Sequence, residues 1–158
     1  MKELANYLND HVAGAVAAVE LLEHLVESHK GTPLEKFFEN LRADVVADLE
    51  VLRKLLQRFT RESVVRKAGA WIAEKIARTK VKVAGDKAGD LGLVQALEVL
   101  VLGITGKQLL WRALSASLGD SPLLRGADLG KLEERAIDQL ERVETQRLEA
   151  ARQAFLRV

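Results

Sequence analysis

Apolar residues at Leu4, Leu8, Val12, Ala15, Val19, Leu22 and Val26 recur by threes and fours, the period of an amphipathic helix, and predict one over about residues 3–29. Gly31 stops it. The following Thr32-Pro33-Leu34-Glu35 reads as a capping box, in which Thr32 accepts from the first-turn amides, Pro33 takes the first helical position and Glu35 reaches back. A second helix then runs to about Phe59 with Phe37, Leu41, Val45, Leu52 and Leu55 on its inner side. So few residues separate the two that they must form an antiparallel hairpin.

Thr60 or Ser63 can open a third helix over about 63–84, with Val65, Ile72, Ile76 and Val83 as its stripe. Gly85-Asp86-Lys87-Ala88-Gly89-Asp90 is polar, bounded by glycines, and reads as a linker. The fourth helix, about 91–118, is apolar on most of its circumference through Leu93, Leu97, Leu100, Val101, Ile104, Leu110, Trp111 and Leu114. Such a helix is central or lies in a subunit interface. Gly119-Asp120-Ser121-Pro122 closes it, and Asp128 is placed to cap a fifth helix over about 129–157. Four long helices paired as first with second and fourth with fifth, with an extra helix in the crossover, have the connectivity of a ferritin-like four-helix bundle. The expectation is all-α, a single domain over residues 1–158.

Composition narrows the function classes. The 158 residues are 48% apolar and 30% charged, with 24 basic against 23 acidic residues, the profile of an ordinary globular domain. The absence of cysteine excludes thiolate zinc sites, redox pairs and disulfides. A formal charge of +1 lacks the basic footprint that nucleic acid demands. The longest charge-free apolar stretch, Val99 to Gly106, is far below the roughly 20 residues of a membrane span. Met1-Lys2-Glu3-Leu4 leads straight into a helical pattern, unlike a signal peptide. A cytoplasmic protein that meets neither membrane nor nucleic acid is expected.

The chemistry, if any, lies in ionisable residues at positions where helical spacing asks for apolar ones. His11 shares a face with Leu4, Leu8, Ala15, Ala18 and Leu22; Asp48 shares one with Leu41, Val45, Leu52 and Leu55. Lys107 is surrounded by Leu100, Ile104, Leu110, Trp111 and Leu114, and Arg147 by Ala136, Leu140, Val143 and Ala150. A buried, unpaired charge costs several kcal/mol, so such groups must find each other. His11 and Asp48 stand at similar distances from the hairpin turn, differing in height by only about 6 Å. The expected arrangement is one polar layer across the bundle middle, built from His11, Asp48, Lys107 and Arg147 with Asp10, Asp44, Lys75 and Glu144.

A di-iron centre needs about four carboxylates and two imidazoles, two of them in Glu-x-x-His pairs. Leu8, Leu21 and Val26 stand three before the histidines, so no such pair exists. Lys107 and Arg147 would also repel a dication. The favoured reading has no cofactor; the alternative is a single Fe, Mn or Zn ion on His11, Asp44 and Asp48, in a metal-binding protein or oxidoreductase with a reduced ligand set. A third reading is a small ligand or anion held by Lys107 and Arg147. Glu20 with His24 reads as a solvated pair on a polar arc, and His29 as a cation near a helix C-terminus. Gly103-Ile104-Thr105-Gly106-Lys107 lacks the spacing of a phosphate-binding loop. Glu98, Thr105 and Arg112, seven residues apart, read as the one polar seam of the fourth helix.

At Leu8-Asn9-Asp10-His11, Ala70-Trp71-Ile72-Ala73-Glu74-Lys75 and Gly103-Ile104-Thr105-Gly106-Lys107 with Leu110-Trp111-Arg112-Ala113-Leu114, the chain resembles uncharacterised bacterial proteins of the broad ferritin-like class, over nearly its full length. That resemblance implies a helical bundle and brings no activity with it. The resulting expectation is a binding or interaction module rather than an enzyme, with self-association through the fourth helix.

Overall fold

The computed structural model describes residues 2–60 and 89–156. Regular structure among them is helical throughout: α1 (Lys2–Ser28), α2 (Pro33–Phe59), α3 (Gly89–Leu118) and α4 (Leu129–Phe155), with a 3₁₀ turn at Pro122–Leu124. The helix expected over 63–84, with Trp71 and Lys75, lies outside the described residues, as does the linker up to Ala88. The described residues fall into two compact units, 2–60 with 117–127 and 89–116 with 128–156.

In the first unit α1 and α2 pair as the expected hairpin. Leu8, Leu21, Leu22 and Leu25 of α1 are buried, as are Phe38, Leu41, Leu52 and Leu55 of α2. Each buried leucine contributes about 1.5–3 kcal/mol relative to an exposed one. Gly31 takes φ +77°, the left-handed conformation that ends a helix without the penalty a Cβ brings. The capping box is only half formed. Glu35 reaches back and accepts from the Gly31 amide at 2.8 Å, but the Thr32 side chain makes no cap to α2. Its hydroxyl instead donates to the His29 carbonyl at 2.7 Å, one of the acceptors that the end of α1 leaves open. At the other end of α2, the Arg58 guanidinium donates to the Leu123 and Arg125 carbonyls at 3.0 and 2.8 Å. It thereby pins the 3₁₀ turn.

In the second unit α3 and α4 run antiparallel, a direction their side-chain pairs fix. Arg147 approaches Glu98 at 3.6 Å and Arg112 reaches Glu133 at 3.1 Å. Moving 14 residues forward on α3 thus moves 14 back on α4. Trp111, Leu97, Leu100, Leu110 and Leu114 are buried on α3, and Leu132, Ala136, Val143 and Ala150 on α4. Asp128 caps α4 as expected, its carboxylate accepting from the Lys131 amide at 3.0 Å.

Candidate functional site

His11 and Asp48 belong to the first unit, Lys107 and Arg147 to the second, and Lys75 lies outside the described residues. Asp48 is buried at 2% exposure in the middle of α2, between Val45, Leu49 and Leu52. His11 is half-buried and sets its ring against Tyr7 edge to face, centroids 4.7 Å apart. Burial pushes the imidazole below its usual pKa, and the Asp10 carboxylate next to it partly offsets that.

His11 and Asp48 stand on the two paired helices of the first unit, and nearer the turn Arg42 of α2 reaches Glu23 of α1 at 2.7 Å. Asp10 is exposed and Asp44 half-buried, so neither extends a buried layer in the way expected. Among the described residues no three His, Asp or Glu are placed to share a metal ion, and His11, Asp44 and Asp48 do not assemble as a ligand trio.

In the second unit the half-buried Lys107 does lean inward, but its ammonium donates to the side-chain carbonyl of Gln139. Gln139 is 1% exposed. Gln139 is neutral, so charge alone does not single it out. The signal was nevertheless present, because Leu132, Ala136, Gln139 and Val143 form one uninterrupted core stripe. Asn9, buried beside Leu8, was missed for the same reason. Arg147 faces an acid of its own helix, donating to the two Glu144 oxygens at 2.6 and 2.7 Å. That bidentate pairing lowers the Glu144 pKa and raises that of Arg147. Its side chain is 24% exposed and that of Glu144 42%, so the pair sits at the boundary with solvent rather than inside the unit.

The other histidines serve helix ends. His24 Nε2 lies 3.4 Å from the Ser28 hydroxyl. His29 Nδ1 donates to the Leu25 carbonyl at 2.8 Å while its ring packs on Phe38. Helix α1 stops at Ser28, so His29 satisfies a terminal carbonyl from just beyond the end. Glu23, Val26, Glu39 and Arg42 line a shallow open groove on the hairpin, and Glu23 and Arg42 already neutralise each other there.

The feature best suited to recognition is the outer face of α3. Leu91, Val99, Leu102 and Leu109 are all exposed, Leu102 at 72% and Leu109 at 55%. At about 100° per residue these four span roughly 80° of arc, opposite the face that carries Leu97, Leu100, Ile104 and Trp111. By length and composition alone α3 is long and apolar enough to cross a membrane, with a mean hydropathy of 1.4 over its best window, although a third of that window is buried in protein. The uninterrupted apolar run from Val99 to Gly106 hid this, because a window tolerates charges that a run does not. Comparison with protein-family models, curated proteins and solved structures found no match to this chain.

Proposed function

We propose that this protein is a non-catalytic interaction module: a helical bundle of ferritin-like connectivity, without a complete di-iron site, that offers the outer face of α3 to a macromolecular partner. The observation that carries this reading is the exposure of Leu102 and Leu109 in the middle of a helix whose opposite face is fully buried. Contiguous apolar surface on a soluble domain marks an interaction site, whereas scattered single residues do not. The dispersal of the ionisable groups supports the same reading. His24 and His29 are engaged at a helix end, His11 sits against Tyr7, and Arg147 is paired with Glu144 and Glu98. Lys107 and Gln139 then act as a structural polar contact inside the second unit.

Photo-crosslinking in living cells tests it. Benzoylphenylalanine placed at Leu102 is expected to give a defined higher-mass adduct, while the same probe at Glu39, exposed on α2, gives none. Equal absence of adducts from both positions would overturn the reading.

A further inference from the structure

Two features of the outer face of α3 identify what it meets. The first is the order of charges. Glu98, Thr105 and Arg112 recur every seven residues, so they share one strip of the helix with the acid and the base about 10 Å either side of Thr105. Both charged side chains stay more than half exposed, at 52% and 62%, although Glu98 already approaches Arg147 and Arg112 holds Glu133. The second is apolar. Leu102 and Leu109 flank the same centre, three residues before Thr105 and four after it. Gly103 and Gly106 beside them have nothing within 4 Å of where a Cβ would stand, so another backbone can approach closely there.

Read along the helix, the strip runs acid, leucine, small residues, leucine, base, and it is complementary to itself when turned end for end. A second α3 lying parallel would set Glu98 on Glu98 and Arg112 on Arg112, a repulsive arrangement. An antiparallel copy sets Glu98 opposite Arg112 twice and Leu102 against Leu109 twice, the reciprocal pattern of an isologous two-fold contact. We infer that two copies of this chain associate about a two-fold axis, their α3 helices crossing antiparallel at Thr105 and Gly106. A lipid surface fits the strip less well, because Glu98 and Arg112 would enter the apolar layer with the leucines. The inference rests on the reading of α3 as a docking face and names its occupant.

Sedimentation velocity of the full chain across the micromolar range is expected to show a monomer–dimer equilibrium. Glu98→Arg and Arg112→Glu, each with an unchanged circular dichroism spectrum, should each weaken association about tenfold or more by setting like charges together. An equimolar mixture of the two variants should recover wild-type affinity, since every acid then meets a base across the contact. Loss of the intrachain pairs to Arg147 and Glu133 cannot produce that recovery. Should either charge variant fail to fold, Leu102→Ser and Leu109→Ser, both at exposed positions, are expected to abolish the dimer while keeping the helical spectrum. A wild-type chain that stays monomeric, with or without flotation on phosphatidylcholine vesicles, or a mixture as weak as its components, would overturn the two-fold contact. If the monomeric chain still captures another protein from position 102, the docking face stands and only its occupant is wrong; if it captures nothing, both fall.

Discussion

The two units use their apolar residues differently. In the α1–α2 hairpin they are nearly all enclosed, and Tyr7 is the one large exposed hydrophobic residue among those described there. The α3–α4 pair leaves Leu91, Val99, Leu102 and Leu109 on one helix and Ile137, Leu148 and Phe155 on the other in contact with solvent. Both units rest on 27- to 30-residue helices, so length does not explain the contrast. Pattern does. Helices α1, α2 and α4 alternate apolar and charged arcs, whereas α3 is apolar nearly all round and interrupted mainly by the seam of Glu98, Thr105 and Arg112. A helix with one apolar face is satisfied by one neighbour, and a helix with two needs a second.

The sharpest way to break this contrast is at the buried face of α3. Trp111→Ala should cost about 3–5 kcal/mol in chemical denaturation through lost contact and the cavity left behind. Leu102→Ala, on the opposite face, should change monomer stability by no more than about 0.5 kcal/mol. Comparable losses from both would mean that α3 has no free outer face. The Trp111 indole N–H is buried with no acceptor among the described residues, so Trp111→Phe should be far milder than Trp111→Ala, about 1 kcal/mol.

Next in size is the polar contact inside the second unit. A double-mutant cycle of Lys107→Met with Gln139→Leu should give a coupling of about 1.5–3 kcal/mol, the range for hydrogen bonds to charged groups. Lys107→Met alone should be destabilising, because the buried Gln139 side-chain carbonyl loses its charged donor. A coupling near zero in urea titrations would remove this contact from the account. In the first unit Arg58→Ala should cost about 1 kcal/mol by releasing the Leu123 and Arg125 carbonyls to water. Hydrogen exchange should speed up in the segment 121–127 before anywhere else in that unit.

The smallest effect is a titration. His11 has its pKa lowered in the folded chain, so the unfolded form binds the proton more readily. Stability is therefore unaffected above about pH 6.5, where the imidazole is neutral in both states, and falls as pH drops below that value. In His11→Phe this component of the acid-side loss should disappear from thermal melts taken between about pH 7 and 5. A melt profile identical to wild type would place His11 in solvent.

How much of this was legible in the sequence depends on the range of the physics involved. Helix ends were read closely where a local residue decides them: Pro33 opens α2, Phe59 closes it, Leu118 ends α3 and Asp128 caps α4. Thr32 was misread because a hydroxyl near two helix ends has two uses, and the spacing of the box does not reveal that the His29 carbonyl would take its proton. The polar interior was harder. Inward positions of Asp48 and Lys107 follow from helical period, but pairing depends on register between helices. Lys107 meets the neutral Gln139, which charge alone does not single out. The seam of Glu98, Thr105 and Arg112 was visible from spacing, yet its complementarity to itself emerged only once Leu102 and Leu109 proved exposed beside it.

The chain contains no cysteine, so an introduced one is unique, and this permits the most direct test of the two-fold contact. Leu102→Cys and Leu109→Cys are prepared separately, mixed and oxidised under mild conditions. An antiparallel crossing at Thr105 and Gly106 predicts disulfide-linked dimers in the mixture well above the level in either variant alone, because position 102 meets position 109 of the other copy. Crosslinking of Leu102→Cys with itself as readily as in the mixture would indicate parallel or random encounter, and absence of crosslinks from every sample would mean the helices do not meet; either result contradicts the account.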